Sequence, residues 1–333
     1  MCNFSFFVGS DISKAVIDIS FYQSGQAIYL GQYQNNIPGF KLLLKDLKSE
    51  TDIPMDKWFF CFENTGVYSK PLFEWLASQE ISCREENALK ISKSLGLRRG
   101  KNDKIDSRDI CVYAFEKRDS IQASKLPSFL IVKLRKLLSR RDFLVRQKQS
   151  LEISMKEQNG FIDPDLYEEL EHGNTILMNE YSRQIKALEI TIQSLIHSDE
   201  KTAQNDKLAR TVIGVGPVTS AYIIAITQNY TSFTDPKKFA CYCGVAPFAN
   251  RSGKRIGKTK VSHLANKKMK SILSMCVSAA MVHDPELSKY YNRKLKEGKE
   301  KGVVLNAIKN KIIQRVFAVV KRKTPYVKIM DYA

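Results

Sequence analysis

Five consecutive apolar residues, Trp58-Phe59-Phe60-Cys61-Phe62, end in a single carboxylate, Glu63. So short a run without polar alternation is the pattern of a strand buried on both faces. Such a strand needs a helical layer above and below it, which makes this part of the chain α/β. The flanking sequence supplies the partners. Residues 4–12 are apolar and carry Asp11 near their end, 16–21 alternate, and 27–33 follow the turn signal Ser24-Gly25, so three strands come first. Pro38 suits the first turn of a helix whose apolar face is Phe40, Leu43, Leu44 and Leu47. After the 58–62 strand, Thr65-Gly66 turns into a helix with Leu72, Phe73 and Leu76. A short strand at 81–84, a small helix and the basic turn Arg98-Arg99-Gly100 follow.

Three meandering strands followed by strands alternating with helices is the ribonuclease-H arrangement. In that layout the ends of the first and fourth strands lie side by side, and a late helix crosses them. The stretch Lys101-Asn102-Asp103-Lys104-Ile105-Asp106-Ser107-Arg108-Asp109 opens an apolar-periodic run (Ile105, Ile110, Val112, Tyr113) that reads as this helix. Asp103 and Asp106 are three apart, so both project from one helix face with roughly 5–6 Å between their Cβ atoms. Singly, Asp11 and Glu63 read equally well as solvent-facing strand ends, and the two aspartates as acids favoured by a helix N-terminus. As a set of four in this order, they form a candidate site for magnesium, which favours carboxylate, water and phosphate oxygens. Paired ions about 3.5–4 Å apart can activate an attacking oxygen and stabilise a leaving one.

Charge narrows the partner. The 333 residues carry a net charge of +18, yet residues 1–205 hold 28 Lys and Arg against 28 Asp and Glu, while 206–333 hold 25 against 7. A field of that sign, confined to the last third, attracts a polyanion, and nucleic acid fits better than a membrane surface because no amphipathic or lipidated segment is evident. No apolar run reaches membrane-span length and no signal peptide is evident. Seven scattered cysteines point to a reducing cytosol, and four dispersed histidines argue against zinc. No Walker-type glycine–lysine loop is present.

Residues 127–205 change character. Leu130, Leu134, Leu137, Leu144, Leu151 and Met155, then Met178, Tyr181, Ile185, Leu188, Ile192 and Leu195, keep a 3–4 spacing on either side of a break at Gly160-Phe161-Ile162-Asp163-Pro164. This predicts a helical hairpin, serving as a spacer or as half of an intermolecular coiled coil. Arg140, Arg141 and Arg146 lie along it and could meet nucleic acid. Beyond it, Ile213-Gly214-Val215-Gly216-Pro217 has the helix-hairpin-helix pattern, with Gly214 and Gly216 placed either for a tight turn in the core or for backbone approach to phosphate. The Gly, Pro, Asn and Ser content of residues 244–255 predicts a loop. Ser252 sits in it between Arg251 and Gly253, with Lys254, Arg255, Lys258 and Lys260 beyond. Spacing alone favours phosphate binding by this serine over nucleophilic attack, for which it would need a metal or a base. Two basic amphipathic helices, 267–281 and 302–320, close the chain.

Together these motifs resemble bacterial insertion-sequence transposases of the DEDD or Piv/MooV-invertase type (the IS-one-ten family), known as bridge-RNA-guided recombinases. The carriers are Gly9-Ser10-Asp11-Ile12-Ser13-Lys14, Phe62-Glu63-Asn64-Thr65-Gly66, Lys101-Asn102-Asp103-Lys104-Ile105-Asp106, Ile213-Gly214-Val215-Gly216, and Gly244-Val245-Ala246-Pro247 followed by Arg251-Ser252-Gly253. The resemblance implies α/β plus α architecture: a RuvC-like ribonuclease-H-fold domain at 1–122, a coiled-coil insertion at 123–205, and a mainly α transposase domain with helix-hairpin-helix at 206–333. It implies that Asp11, Glu63, Asp103 and Asp106 bind Mg2+, with Mn2+ as an alternative, and that Ser252 is a nucleophile forming a phosphoserine link to DNA. Donor and target DNA, a guide RNA and a dimeric or tetrameric homo-oligomer are the implied partners, and the bacterial cytoplasm, at the nucleoid, is the implied location. Lys101, Lys104, Arg108, Gly214, Gly216, Arg251, Lys254, Arg255, Lys258 and Lys260 are the expected nucleic-acid contacts. Where the family shows a Ser-Lys-x-Gly run and a Leu-Arg pair, this chain has Ser262-His263-Leu264-Ala265 and Met269-Lys270.

Overall fold

The apolar run at 58–62 is a central strand of a five-stranded mixed sheet in a computed structural model, which describes residues 4–95, 102–246, 248–252, 255–260 and 265–327. The chain divides into two units, residues 1–126 and 127–333. In the first, β1 (Phe6–Ile12), β2 (Val16–Gln23) and β3 (Gln26–Gln34) form an antiparallel meander. β4 (Trp58–Glu63) lies parallel to β1, and β5 (Ser82–Glu86) parallel to β4, giving the order β3-β2-β1-β4-β5. The ends of β1 and β4 are therefore neighbours, as the strand order predicted.

Alternation along each strand sorts the residues between two layers. Phe6, Val8, Ile12, Trp58, Phe60 and Phe62 pack with Phe40, Leu43 and Leu47 of α1 (Ile37–Glu50) and Leu72, Phe73 and Leu76 of α2 (Lys70–Ser78). Phe7, Phe59 and Cys61 point the other way, toward Ile91 of α3 (Ala88–Leu95) and Ile110, Tyr113 and Ala114 of α4 (Asp103–Glu116). Each fully buried aromatic contributes about 1.5–3 kcal/mol, so the 58–62 run, paired on both edges inside the sheet, is a main source of its stability. Ile105 is 37% exposed, a correction to the periodic reading. The buried face of α4 runs through Ser107, Ile110, Cys111 and Ala114 because it presses on strand backbone and selects small side chains.

The second unit begins with a helical hairpin, α5 (Phe129–Gln158) and α6 (Pro164–His197), broken where Gly160 takes a left-handed φ of 79°. Arg141 spans the pair to Glu189 at 2.6 Å, so this arginine is occupied within the hairpin. Ile131, Leu134, Leu138, Ile192 and Ile196 at the hairpin's base share one core with later helices, while Phe161, Leu166, Leu170, Ile176 and Leu177 toward its tip are exposed. The later elements are α7 (Glu200–Ala209), α8 (Pro217–Thr227), α9 (Pro236–Tyr242), a hairpin of β6 (Phe248–Ser252) and β7 (Arg255–Lys260), α10 (Lys267–His283), α11 (Pro285–Lys296) and α12 (Lys301–Arg322). α8 is buried on most of its circumference, which places it at the centre of this core. Two readings need correction. Within the expected loop at 244–255, Phe248–Ser252 and Arg255 belong to the paired strands β6 and β7, because Gly and Asn are also residues of hairpin sequences. α11 was not anticipated, although Asp284 caps it through Glu286 N at 3.1 Å and Pro285 follows, a helix-start signature.

Candidate active site

The position of the acids follows from how closely α4 lies on β1. A Cβ on Gly9 would run into the Ser107 carbonyl oxygen and the Cys111 amide nitrogen, so only glycine lets the helix settle there. Ser107 Oγ and Ser20 Oγ of β2 hydrogen-bond at 2.8 Å beneath the helix. Farther along, Tyr113 Oη donates to Glu86 Oε2 at 3.2 Å, tying α4 to the end of β5. Burial works against the charge of Glu86, yet the Asn87 amide, Arg84 and Lys90 outweigh it and hold its carboxyl below the usual range. The helix starts at Asn102, whose side chain accepts from Lys104 N at 3.0 Å, and so places Asp103 and Asp106 in the first turn.

Strand alternation turns Asp11 to the same side as Gly9, toward α4. Carboxylate oxygens of Asp11, Asp103 and Asp106 all lie within 4.8 Å of one another. The Asp11 carboxyl is pushed up to about 6, first by burial and then by the charges of Asp106, Asp103 and Glu63. Glu63, at the neighbouring strand end, thus acts electrostatically on the cluster although it is not one of the three that converge most closely. A set of hard oxygen donors, of which Asp11 is half-buried and feels the charges of the others in addition to its burial, fits a divalent cation, which would relieve that repulsion.

Other expected residues lie on several elements. Lys104 and Arg108 are exposed on α4, and Lys104 Nζ stands 5.1 Å from the centre of the Tyr29 ring. Tyr29 Oη donates to Asp18 Oδ1 at 2.6 Å and Gln32 Nε2 to Asp18 Oδ2 at 3.0 Å. Asp18 is buried and faces Asp11 across the β1–β2 ladder. Its place beside the site was missed by the sequence reading, and the only signal was a lone acid in an otherwise apolar alternation. Lys101 and Lys254 lie outside the described residues, as do Gly253 and His263. Ser252 is the last residue of β6 and pairs with Arg255, Arg251 pairs with Ile256, and Lys258 and Lys260 follow on β7. Gly214 takes φ +90°, and its Cα packs against α10 so tightly that a side chain would meet Cys276 O, whereas Gly216, the N-cap of α8, has open space above it. Ala265, at the family's glycine position, fills the space over Gly244, and Lys270 is half-buried beside it.

Two family models match this arrangement. One, described as transposase, of the DEDD type named for IS110, covers residues 8–158 and thus all four acids. The other, described as the transposase IS116/IS110/IS902 family, covers residues 206–292 and includes Ser252. The chain belongs to the IS110 family of transposases. It is a DNA-processing enzyme, and its mixed α/β sheet unit is consistent with a DEDD nuclease-like fold. The transposase is 25% identical to the pilin gene-inverting proteins of Moraxella lacunata and Moraxella bovis over 329 residues, 97% of this chain and 98% of theirs. It is 26% identical over 127 residues, 37% of this chain and 32% of the relative, to an uncharacterized protein of insertion element IS116 from Streptomyces clavuligerus. Membership of a DEDD transposase family agrees with divalent-metal use at the Asp11–Asp103–Asp106 cluster. No helix among the described residues is long and apolar enough to cross a membrane.

Proposed function

We propose that this transposase cuts and rejoins DNA strands through a phosphoserine link at Ser252, with Mg2+, or Mn2+ in its place, held by Asp11, Glu63, Asp103 and Asp106. The observation that carries the reading is the convergence of three carboxylates, two from one helical turn and one from a distant strand, within 4.8 Å. When bound, the ion supplies Lewis-acid polarisation of the phosphoryl group and favours ionisation of a hydroxyl near it. Ser252 Oγ gives up its proton and bonds to phosphorus as one ester P–O bond breaks, and the departing oxygen takes a proton. Attack by the hydroxyl of the new strand end then reverses these changes and frees the serine. The ester energy is retained throughout, so rejoining needs no nucleotide cofactor. The relatives named for gene inversion, which requires both cutting and rejoining, support strand exchange over simple hydrolysis.

In this reading residues 1–122 are a RuvC-like ribonuclease-H domain, 123–205 a coiled-coil insertion and 206–333 the serine-bearing transposase domain. The exposed apolar residues toward the tip of the hairpin support a role in a homo-oligomer, within which the serine acts on the phosphorus bound at the acids of this protomer or another. Gly216, in open space at the start of α8, supports a helix-hairpin-helix phosphate contact. Gly214, Lys101, Lys104, Arg108, Arg251, Lys254, Arg255, Lys258 and Lys260 complete the DNA-facing set, and an element-encoded guide RNA supplies sequence choice. The enzyme works on nucleoid DNA in the cytoplasm.

The test is a protein–DNA adduct that survives denaturation. It forms with wild-type protein and Mg2+, and it disappears in Ser252→Ala and in Asp11→Ala. An adduct that persists in Ser252→Ala excludes this nucleophile. Free cleaved ends without any adduct point instead to a junction-resolving nuclease that uses water.

A further inference from the structure

Lys104 is exposed on α4, yet it is held at both ends. Its carbonyl oxygen accepts from Ser107 Oγ at 3.0 Å, and Ser107 Oγ shares a 2.8 Å hydrogen bond with Ser20 Oγ of β2. Its ammonium stands 5.1 Å from the centre of the Tyr29 ring on β3. A surface lysine held in this way has already given up much of the side-chain freedom that binding an anion would otherwise cost.

The ring is itself fixed. Tyr29 Oη donates to Asp18 Oδ1 at 2.6 Å, and Gln32 Nε2 donates to Asp18 Oδ2 at 3.0 Å. Asp18 is 3% exposed and stands opposite Asp11 in the β1–β2 ladder. Like charges directly opposite one another cost stability, and the two hydrogen bonds draw the Asp18 carboxylate toward β3 instead. A phenol that donates to a carboxylate carries more electron density on its ring, which strengthens the pull of the ring face on an ammonium. Because the sheet runs β3-β2-β1, Tyr29 lies two strands, roughly 9–10 Å, from the strand that carries Asp11.

We propose that Tyr29, fixed by Asp18 and Gln32, is a positioning residue that presets Lys104 to grip a phosphodiester flanking the one over the acids. The grip sets the register of the bound strand, so that the scissile phosphate rather than its neighbour meets Asp11, Asp103 and Asp106. This assignment rests on the reading of the acid cluster as the DNA-cutting site, but it does not depend on which group attacks the phosphorus.

The experiment is a double-mutant cycle on binding of the full-length protein to a duplex DNA, with Ca2+ in place of Mg2+, across a salt series. Lys104→Met weakens binding and shrinks the slope of log K against log salt by about 0.9, for one lost phosphate on B-DNA. Tyr29→Val, a residue suited to a strand, weakens binding about two- to fivefold with the slope unchanged, because the charge remains and only its placement is lost. Tyr29→Phe keeps the ring and restores most of this affinity. The double variant binds no more weakly than Lys104→Met alone. Wild-type affinity in Tyr29→Val overturns the proposal, as do additive losses in the double variant. A Tyr29→Val protein that also loses its Mg2+-dependent rise in melting temperature overturns it too, since the residue then only supports the fold. Should Tyr29→Val fail to fold, NMR of protein carrying labelled lysine decides instead. The signal that vanishes in Lys104→Met is displaced upfield by the Tyr29 ring and moves when DNA is added. A signal at the ordinary lysine position, or one that ignores DNA, overturns the assignment. Wild-type protein that binds DNA but forms no Ser252 adduct overturns the recombinase mechanism and leaves this cycle standing.

Discussion

Asp11 is where the chemistry of the site meets the stability of the fold. Its carboxyl keeps a proton up to about pH 6 because burial and the charges of Asp106, Asp103 and Glu63 disfavour ionisation. In the unfolded chain it titrates near 3.8, so between these values the folded state binds the extra proton. The stability this group contributes to metal-free protein is therefore fully present below about pH 4 and is lost as pH rises through 6. Its size is about 1–2 kcal/mol once solvent screening is allowed for. Asp11→Asn removes the penalty, and thermal scans without metal should show it melting a few degrees above wild type at pH 7.5 and level with it near pH 4. With millimolar Mg2+ the order reverses, since wild type gains a metal-dependent rise and the variant does not. Metal affinity of wild type should also weaken as pH falls below about 6, where the proton competes for Asp11. A wild type whose melting point ignores Mg2+ at pH 7.5 would remove the metal site from the account.

At the scale of elements, the site depends on α4 lying directly on β1. Gly9→Ala puts a methyl group into backbone atoms of Ser107 and Cys111 that cannot swing aside. The helix must lift, at a cost of about 3 kcal/mol or more. The melting point of the sheet unit falls, and its Mg2+-dependent rise is lost because Asp103 and Asp106 move away from Asp11. Ser107→Ala removes only the hydrogen bond to Ser20 and should cost about 1 kcal/mol with the metal response retained. If Gly9→Ala keeps the full metal response, close packing of α4 is not what positions the acids. Much of this geometry was legible in the sequence. The 58–62 run fixed a doubly covered strand, the alternation in 16–21 fixed which side chains share a face, and the three-residue interval of Asp103 and Asp106 set them on one turn. The rest depended on contacts between distant segments. Gly9 reads as an ordinary strand residue until the helix arrives on it, Asp18 becomes a neighbour of Asp11 only through the register, and the β6–β7 pair looks like a loop because both use glycine and asparagine.

For the molecule as a whole, the excess positive charge lies within the second unit. Residues 1–126 carry 17 Lys and Arg against 16 Asp and Glu, and residues 127–333 carry 36 against 19. The chain is anchored to the first unit as far as Ser124, whose amide donates to Cys83 O at 2.7 Å, and is taken up again at Ser128, which caps α5. Lys125 and Leu126 stand exposed between these anchors. Brief trypsin treatment should therefore cut first after Lys125, because an exposed lysine between two hydrogen-bonded segments is reached without unfolding either unit. Calorimetry of the intact chain should show two transitions, of which Mg2+ raises only one, since the acid cluster lies wholly within residues 1–126. The fragment that begins at Leu126 should keep nearly the full salt slope of nucleic-acid binding and no response to Mg2+. The fragment that ends at Lys125 should show the converse: metal binding, with weak association with DNA and a much shallower salt slope than the other fragment. Steep salt dependence in the N-terminal fragment would mean that Lys104 and Arg108 on α4, rather than the charge of the second unit, hold the substrate.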